Sequence, residues 1–404
     1  MDTITHGIAG ALIGKALFRG EDMFAIRPMN RARIVTWSLM LGAIFPDADT
    51  LRGTFSNNEL LIITWHRSIT HSLLMLPLWS LLLAALTLWL VRLLKWEAPS
   101  FRALTAIYAV GILSHIFLDL VTTFGTMIWS PLEWSRPAWD LIFIVDFTFT
   151  GIFLVPQFVA WAYADPAKVK ARAVGMFLVF LPTPLLVAKI AQIVGAPISV
   201  RAIAVTIAVL AILFLFPAIR RTGLRVSQAG WNRAGLVAAC IYILLAQFAH
   251  SAALDRVKKF AAFEHVNVQS LGALPFPPSI WNWDGLIRTS RGVYEMRMDL
   301  SQKAALSESA SLNPSDAPAL EYRFYPDALP NSYIEQAKQL PEVQKVLWFS
   351  RFPVTRFHKE GGDALVEISD LRFAQMRPGR AAAFTYRVRF GPGGNVLSQG
   401  WVTR

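Results

Sequence analysis

Residues 103–122 read ALTAIYAVGILSHIFLDLVT, twenty positions whose only titratable side chains are Tyr108, His115 and Asp119. At 1.5 Å rise per residue such a run forms a helix about 30 Å long, the thickness of a bilayer's hydrocarbon core. It is expected to cross a membrane. Five further stretches, 72–91, 141–163, 173–194, 203–219 and 234–254, have the same character, while 4–18 and 34–45 are shorter and suit tilted, thin-membrane or re-entrant helices. The composition agrees: the 404 residues are 54% hydrophobic and 16% charged, against about 25% charged in a soluble domain.

The chain carries a formal net charge of +12, and its distribution is informative. Residues 1–254 hold 20 basic and 12 acidic side chains, and residues 255–404 hold 19 and 15. Of the first 20, 15 fall in alternate connections: Lys15, Arg19, Arg27, Arg31 and Arg33, then Arg92, Lys95 and Arg102, then Lys168, Lys170 and Arg172, then Arg220, Arg221, Arg225 and Arg233. Short basic loops stay cytoplasmic. The N-terminus, segments 46–71 and 123–140, and everything after 254 are therefore expected on the periplasmic side. The N-terminus lacks the basic n-region of a signal peptide and is read as retained. Basic residues that punctuate helices form no stripe, so nucleic acid is not an expected partner. The lone Cys240 excludes an intramolecular disulfide framework and a CxxC-type metal site, so His and carboxylate ligands are expected for any metal.

Beyond residue 254 the pattern turns Pro-punctuated and alternating. Strands are expected over 292–300, 319–325, 343–352, 364–371 and 384–390, a short helix over 332–340, and a loop over 301–318. The expected architecture is a polytopic α-helical membrane protein, with about six long plus two short membrane helices over 1–254, followed by a soluble β-rich α+β domain over 255–404.

Chemistry concentrates in the first 119 residues. His115 and Asp119 are spaced i, i+4, so one helical face presents both at Cβ separations of about 5–6 Å. Ionisable groups cost a few kcal/mol inside a membrane and persist where they pair or line a polar cavity. Asp47 and Asp49 follow Pro46, which ends an apolar run, and alternate residues of an extended turn face one way. His66 and His71, spaced by five, bracket a turn before the next long helix. With His6, these seven groups come from separate segments yet share the periplasmic face of the topology above. Nitrogen and oxygen donors without thiolate suit Zn²⁺, Mn²⁺ or Fe²⁺, in one or two ions. A divalent ion with an open position lowers the pKa of bound water and supplies hydroxide. One of Asp47, Asp49, Asp140 or Asp146 is expected to orient a ligand imidazole from behind. Arg67 reads either as a phosphate holder or as an interfacial side chain; Trp129, Trp134 and Trp139 read as an aromatic belt. His250, His265 and His358 have no carboxylate at helical spacing, and no phosphate-binding Gly loop, Gly-x-Ser-x-Gly elbow or His-Glu-x-x-His is present.

Asp2-Thr3-Ile4-Thr5-His6, Pro46-Asp47-Ala48-Asp49, His66-Arg67-Ser68-Ile69-Thr70-His71-Ser72 and Ser114-His115-Ile116-Phe117-Leu118-Asp119, followed by Thr123-Phe124-Gly125 and Trp129-Ser130-Pro131, resemble the motifs of the YdjM-like family, in the family's order. That resemblance covers about residues 1–150 and implies a bacterial inner-membrane, metal-dependent hydrolase. Its implied ligands are His6, Asp47, His66, His71, His115 and Asp119. The motif order is also similar, more distantly, to the zinc-dependent phospholipase C and P1 nuclease group. This chain departs from that group in having no second His-x-x-x-Asp, which argues for one or two metals and against three.

The expected function is a multi-pass hydrolase that uses metal-activated water at the periplasmic membrane face, with His115, Asp119, His66 and Asp49 as its catalytic residues, on a phosphoester or lipid-like small molecule. The alternative is a non-catalytic membrane metal-binding or transport protein with an interaction domain.

Overall fold

The computed structural model describes residues 1–21, 30–56, 58–193, 198–220, 225–276, 280–300, 322–376 and 382–402. The chain divides into two compact units, Met1–Asp49 with Arg67–Leu245, and Thr50–His66 with Ala246–Arg404.

The first unit is helical. Its helices are α1 (Thr3–Leu17), α2 (Arg31–Ile44), α5 (Leu76–Leu93), α6 (Phe101–Leu120), α7 (Phe147–Ala162), α8 (Val169–Phe180), α9 (Thr183–Ile193), α10 (Val200–Arg220) and the first half of α11 (Gln228–Phe263). The short α3 (Leu51–Thr54) and α4 (Leu61–Thr64) belong to the second unit. Caps mark the starts: Asp2 accepts from Thr5 N, Asn30 from Arg33 N, Ser100 from Ala103 N and Asp146 from Thr148 N and Phe149 N. Each carboxylate, amide or hydroxyl satisfies amide donors that the helix itself leaves open.

Helices α1, α2 and α6 approach closely because small residues line their crossings. A Cβ at Gly10 would lie 2.7 Å from Leu39 O, and one at Gly111 would lie 2.8 Å from the same carbonyl and 3.0 Å from Gly42 Cα. Without an apolar driving force between helices in lipid, such contacts carry the association. On the outside, α5 exposes Leu78, Leu82, Leu86 and Trp89, the surface an acyl chain would cover.

Among the described residues, four helices are long and apolar enough to cross a bilayer: Leu76–Leu93, Phe101–Leu120, Val169–Gln192 and Gln228–Phe263. Phe147–Ala162 and Val200–Phe216 are shorter. The expected count of six long spans is thus not reached. The run beginning at 141 loses its first turn and a half because Trp139 N donates to Leu120 O, and Leu141 N and Ile142 N to Val121 O, which holds the backbone outside a helix until Asp146 caps α7. The other shortfall is Val200–Phe216; the stretch from 173 to 194 lies within the Val169–Gln192 span, in which α8 stops before Pro182 and α9 starts beside Pro184, where proline removes a backbone donor.

In the second unit, two antiparallel meanders form four-stranded sheets in the orders β1-β2-β3-β4 and β5-β6-β7-β8. The strands are β1 (Ser270–Pro275), β2 (Asn282–Thr289), β3 (Gly292–Asp299), β4 (Tyr322–Pro326), β5 (Pro353–Glu360), β6 (Asp363–Asp370), β7 (Thr385–Phe390) and β8 (Val396–Trp401). One face of the first sheet packs Trp283, Ile287 and Met296 against Ala253, Val257 and Phe260 of α11, and Leu274, Leu286 and Val293 of the other face pack with Phe352, Val354 and Leu371. The strands expected from 292, 364 and 384 are present, as is α12 (Ser332–Gln339). The strand expected over 343–352 is instead α13 (Pro341–Phe349). Pro341 suits a first helical turn, and the i, i+3 spacing buries Val343, Val346 and Phe349 together. The loop expected over 301–318 lies outside the described residues.

Asp284 of β2 is buried, neither carboxylate oxygen has a hydrogen-bond partner among the described residues, and Arg297 Nε lies 3.9 Å from Oδ1. Burial, and then the charge of Glu295, push its pKa well above the usual carboxylate range. The folded state therefore keeps this proton after the unfolded state has lost it, so stability falls as pH rises from about 4 towards the folded pKa. In full-length protein, amide exchange of β2 and β3, corrected for intrinsic rate, should quicken across that window. Asp284→Asn should flatten the response; an unchanged slope would assign it elsewhere.

Candidate metal centre

Helix α6 sets His115 and Asp119 one turn apart on its buried face. Pro46 stops α2, and the 3-10 turn Phe45–Thr50 that follows carries Asp47 and Asp49, both buried. Arg67 has φ +63°, in the left-handed region that L residues rarely enter. Its backbone N–H donates to Asp49 Oδ2 at 3.1 Å, and its carbonyl accepts from Met127 N at 2.9 Å. That reversal leads into the 3-10 turn Ile69–His71, which delivers His71.

The result is a buried group in which Asp47, His71, His115 and Asp119 each offer one donor atom within 4.8 Å of the others. His115 Nε2 and His71 Nε2 are 3.0 Å apart. Asp119 Oδ2 lies 3.3 Å from His71 Nε2 and 3.4 Å from His115 Nε2; Asp47 Oδ1 lies 3.6 and 3.5 Å from the same two nitrogens. A tetrahedral ion bound at about 2.0–2.2 Å separates its ligand atoms by about 3.3–3.6 Å, so these side chains fit a divalent ion with two nitrogen and two oxygen donors.

The surrounding hydrogen bonds aim the donors inward. His115 Nδ1 is 2.6 Å from the Ala43 carbonyl, which can only accept, so the ring is protonated there and Nε2 turns its lone pair to the centre. His71 Nδ1 faces Asp49 Oδ2 at 3.4 Å and Thr70 Oγ1 at 3.1 Å. Thr70 Oγ1 also donates to Asp49 Oδ2 at 3.0 Å, and Thr3 Oγ1 donates to Asp47 Oδ2 at 2.5 Å. Burial lowers the pKa of His71, but Asp119, Asp47 and Asp49 outweigh it and raise the value to about 10. A proton therefore competes with an ion for this imidazole.

The two oxygens of Asp119 have different company. Oδ2 has no hydrogen-bond donor. Oδ1 takes Arg67 Nη2 at 2.8 Å, lies 3.2 Å from His6 Nε2, and contacts the amino group of Met1.

Of the residues expected from sequence, the structure gathers Asp47, His71, His115 and Asp119 as donors and places Asp49 behind His71. His6 adjoins them without being one of the four: its ring stacks on His115 with centroids 3.7 Å apart. His66 is not one of the four and belongs to the other compact unit, since the turn at Arg67 intervenes between it and His71. Asp146 caps α7 and accepts from Tyr242 Oη at 2.6 Å, a structural tie between α7 and α11. Asp140 is buried with φ +56° and is not one of the four. Trp129, Trp134 and Trp139 are exposed. Arg67 is the largest surprise: it is 1% exposed and does not snorkel. The contributions of Ala43 O, Thr3 and Thr122 carry no sequence signal of their own, because a carbonyl or hydroxyl acquires a role only through its neighbours.

A model of the YdjM inner membrane protein family matches residues 1–196, which contain every member of this group. No curated protein and no solved structure matches the chain. Helices able to cross a bilayer and the motifs assembled around α6 agree with that match: residues 1–196 are similar to the YdjM inner membrane protein family.

Proposed function

We propose that this protein is a multi-pass inner-membrane hydrolase that uses a divalent metal, zinc in the first instance, to cleave a phosphoester or related bond in a lipid-like substrate. The observation that carries the reading is the convergence of Asp47, His71, His115 and Asp119. A divalent ion held there would supply Lewis acidity, and would acidify water taken as a fifth ligand or in place of one carboxylate. The protein's own groups prepare the place. The Ala43 carbonyl and the Asp49 carboxylate orient the two imidazoles, and Thr3 orients Asp47. Arg67 already holds Asp119 Oδ1, which supports one ion in preference to two. Asp47, on a turn and at 7% exposure, is the least buried of the four donors, and it is where substrate would approach. The basic connections in the sequence support a periplasmic position for this face and for the C-terminal domain. The apolar helices support an amphiphilic substrate drawn from the adjoining leaflet.

A second reading rests on the same four donors. Structural metal sites are closed by four protein ligands, whereas catalytic sites keep a position for water. A non-catalytic metal-binding or transport protein with an interaction domain would have this geometry too. Purified full-length protein in mixed micelles, given a panel of phospholipids and soluble phosphoesters, separates the two. Release of phosphate or headgroup that stops with chelator and returns with Zn²⁺ is the expected result. Stoichiometric metal without turnover on any substrate would overturn hydrolysis in favour of the second reading.

A further inference from the structure

We infer that Arg67 sets how Asp119 can bind an ion, and through it the coordination number and the choice of metal. The inference rests on the reading that the four-residue group holds a divalent ion.

A carboxylate can give one oxygen or two to a cation, and the difference matters. Zn²⁺ is satisfied by four donors, whereas oxygen-seeking ions of higher coordination number gain from a second carboxylate oxygen. At Asp119 the choice is constrained by a neighbour that is itself unusual. Arg67 is 1% exposed, its backbone is in the left-handed region, and its guanidinium is fixed at three points. Nη2 lies 2.8 Å from Asp119 Oδ1, Nη1 donates to Thr122 Oγ1 at 3.0 Å, and the guanidinium carbon stands 5.0 Å from the centroid of the Phe124 ring. Thr122 Oγ1 in turn donates to the Asp119 carbonyl at 2.8 Å, so the arginine is anchored to the same turn of chain it restrains. Oδ1 is thereby engaged by Arg67, with the Met1 amino group and His6 Nε2 beside it, and Oδ2 is the oxygen left to face His71 and His115. Burying an arginine is costly unless it is paired. Here the pairing also removes one of the six oxygens and nitrogens that an octahedral ion would recruit. Arg67 is thus a positioning residue, and its contribution is selectivity for a four-coordinate ion.

The test uses full-length protein in detergent, with Co²⁺ as a spectroscopic probe and Zn²⁺ and Mn²⁺ in competition. Wild type should show the intense visible bands of four-coordinate Co²⁺ and a strong preference for Zn²⁺. Arg67→Gly suits the left-handed backbone and removes only the side chain. It should weaken the bands towards a higher coordination number and lower the Zn²⁺ over Mn²⁺ preference by roughly tenfold or more, the scale of losses when a group behind a ligand is removed. Added methylguanidinium should restore the spectrum. Arg67→Lys, which keeps the charge but lacks the fork to reach both Asp119 and Thr122, should fall between them. Unchanged spectra and preference in both variants would overturn the inference, as would a six-coordinate Co²⁺ spectrum in wild type, which needs no variant to fold. Wild type that binds no ion at all would instead remove the metal reading on which the inference rests.

Discussion

Replacing His115 with alanine is expected to leave purified protein without stoichiometric divalent metal and with hydrolysis at background. The variant loses the Nε2 that lies within 3.0–3.5 Å of His71, Asp119 and Asp47, so three donors remain where four converged. It also strips the Ala43 carbonyl of its buried partner and removes the ring on which His6 stacks. Loss of a group that merely supports a ligand costs about 10–100-fold in metal affinity, so loss of the ligand itself should exceed about 100-fold. Truncating a buried side chain also destabilises, by roughly 2–5 kcal/mol for large-to-small changes. Metal content must therefore be read on protein shown to be folded by its helical circular dichroism. A folded His115→Ala protein with full metal content and full activity would sink the centre.

Gly111→Ala should be strongly damaging to the helical unit. The new Cβ would meet the Leu39 carbonyl at 2.8 Å, Gly42 Cα at 3.0 Å and Ala43 N at 3.1 Å, all backbone atoms that no rotamer change can clear. Helices α2 and α6 would have to separate, at a cost of about 1–3 kcal/mol or more for overpacking. The effect would also reach the centre, because Ala43 and His115 face each other across the same interface. Thermal unfolding in detergent should show a lower midpoint, and Zn²⁺ titration a weaker affinity. Gly151→Ala and Gly175→Ala are the controls. Both glycines are helical with nothing within 4 Å of an added Cβ, so substitution should be neutral or stabilising by up to about 1 kcal/mol. Equal losses at 111, 151 and 175 would show that the close approach of α2 and α6 is not what matters.

Much of the centre is legible in the linear chain. His115 and Asp119 announce themselves because the 3.6-residue period of a helix is known before any tertiary structure, and because charge inside an apolar run demands a reason. Asp47 and His71 are nominated by context and by the motifs shared with the YdjM family. The exclusion of His66 from the four is not legible, since both histidines satisfy the same composition and the same face of the membrane. What separates them is a single left-handed residue at Arg67, and nothing in the local sequence forces an arginine into that conformation. It is imposed by Asp49 on its amide, Met127 on its carbonyl, and Asp119 and Thr122 on its side chain.

The β-rich region divides along the same line. Strands at 292, 364 and 384 follow from alternation, whereas the residues of α13 have β-rich character and become helical because Val343, Val346 and Phe349 find a common buried side. The number of spans also lay beyond composition. Apolarity says that a stretch can enter lipid, but Asp146 and the backbone hydrogen bonds of Trp139, Leu141 and Ile142 decide where α7 begins. The sequence by itself determined that this is a membrane protein with imidazoles and carboxylates set in its apolar part, because hydropathy and helical spacing are properties of neighbours along the chain. Which four of those groups meet, which oxygen of Asp119 is free, and that a buried arginine takes the other were decided only by the tertiary structure. Those facts depend on groups tens of residues apart, held within a few ångströms by helices that pack through glycine.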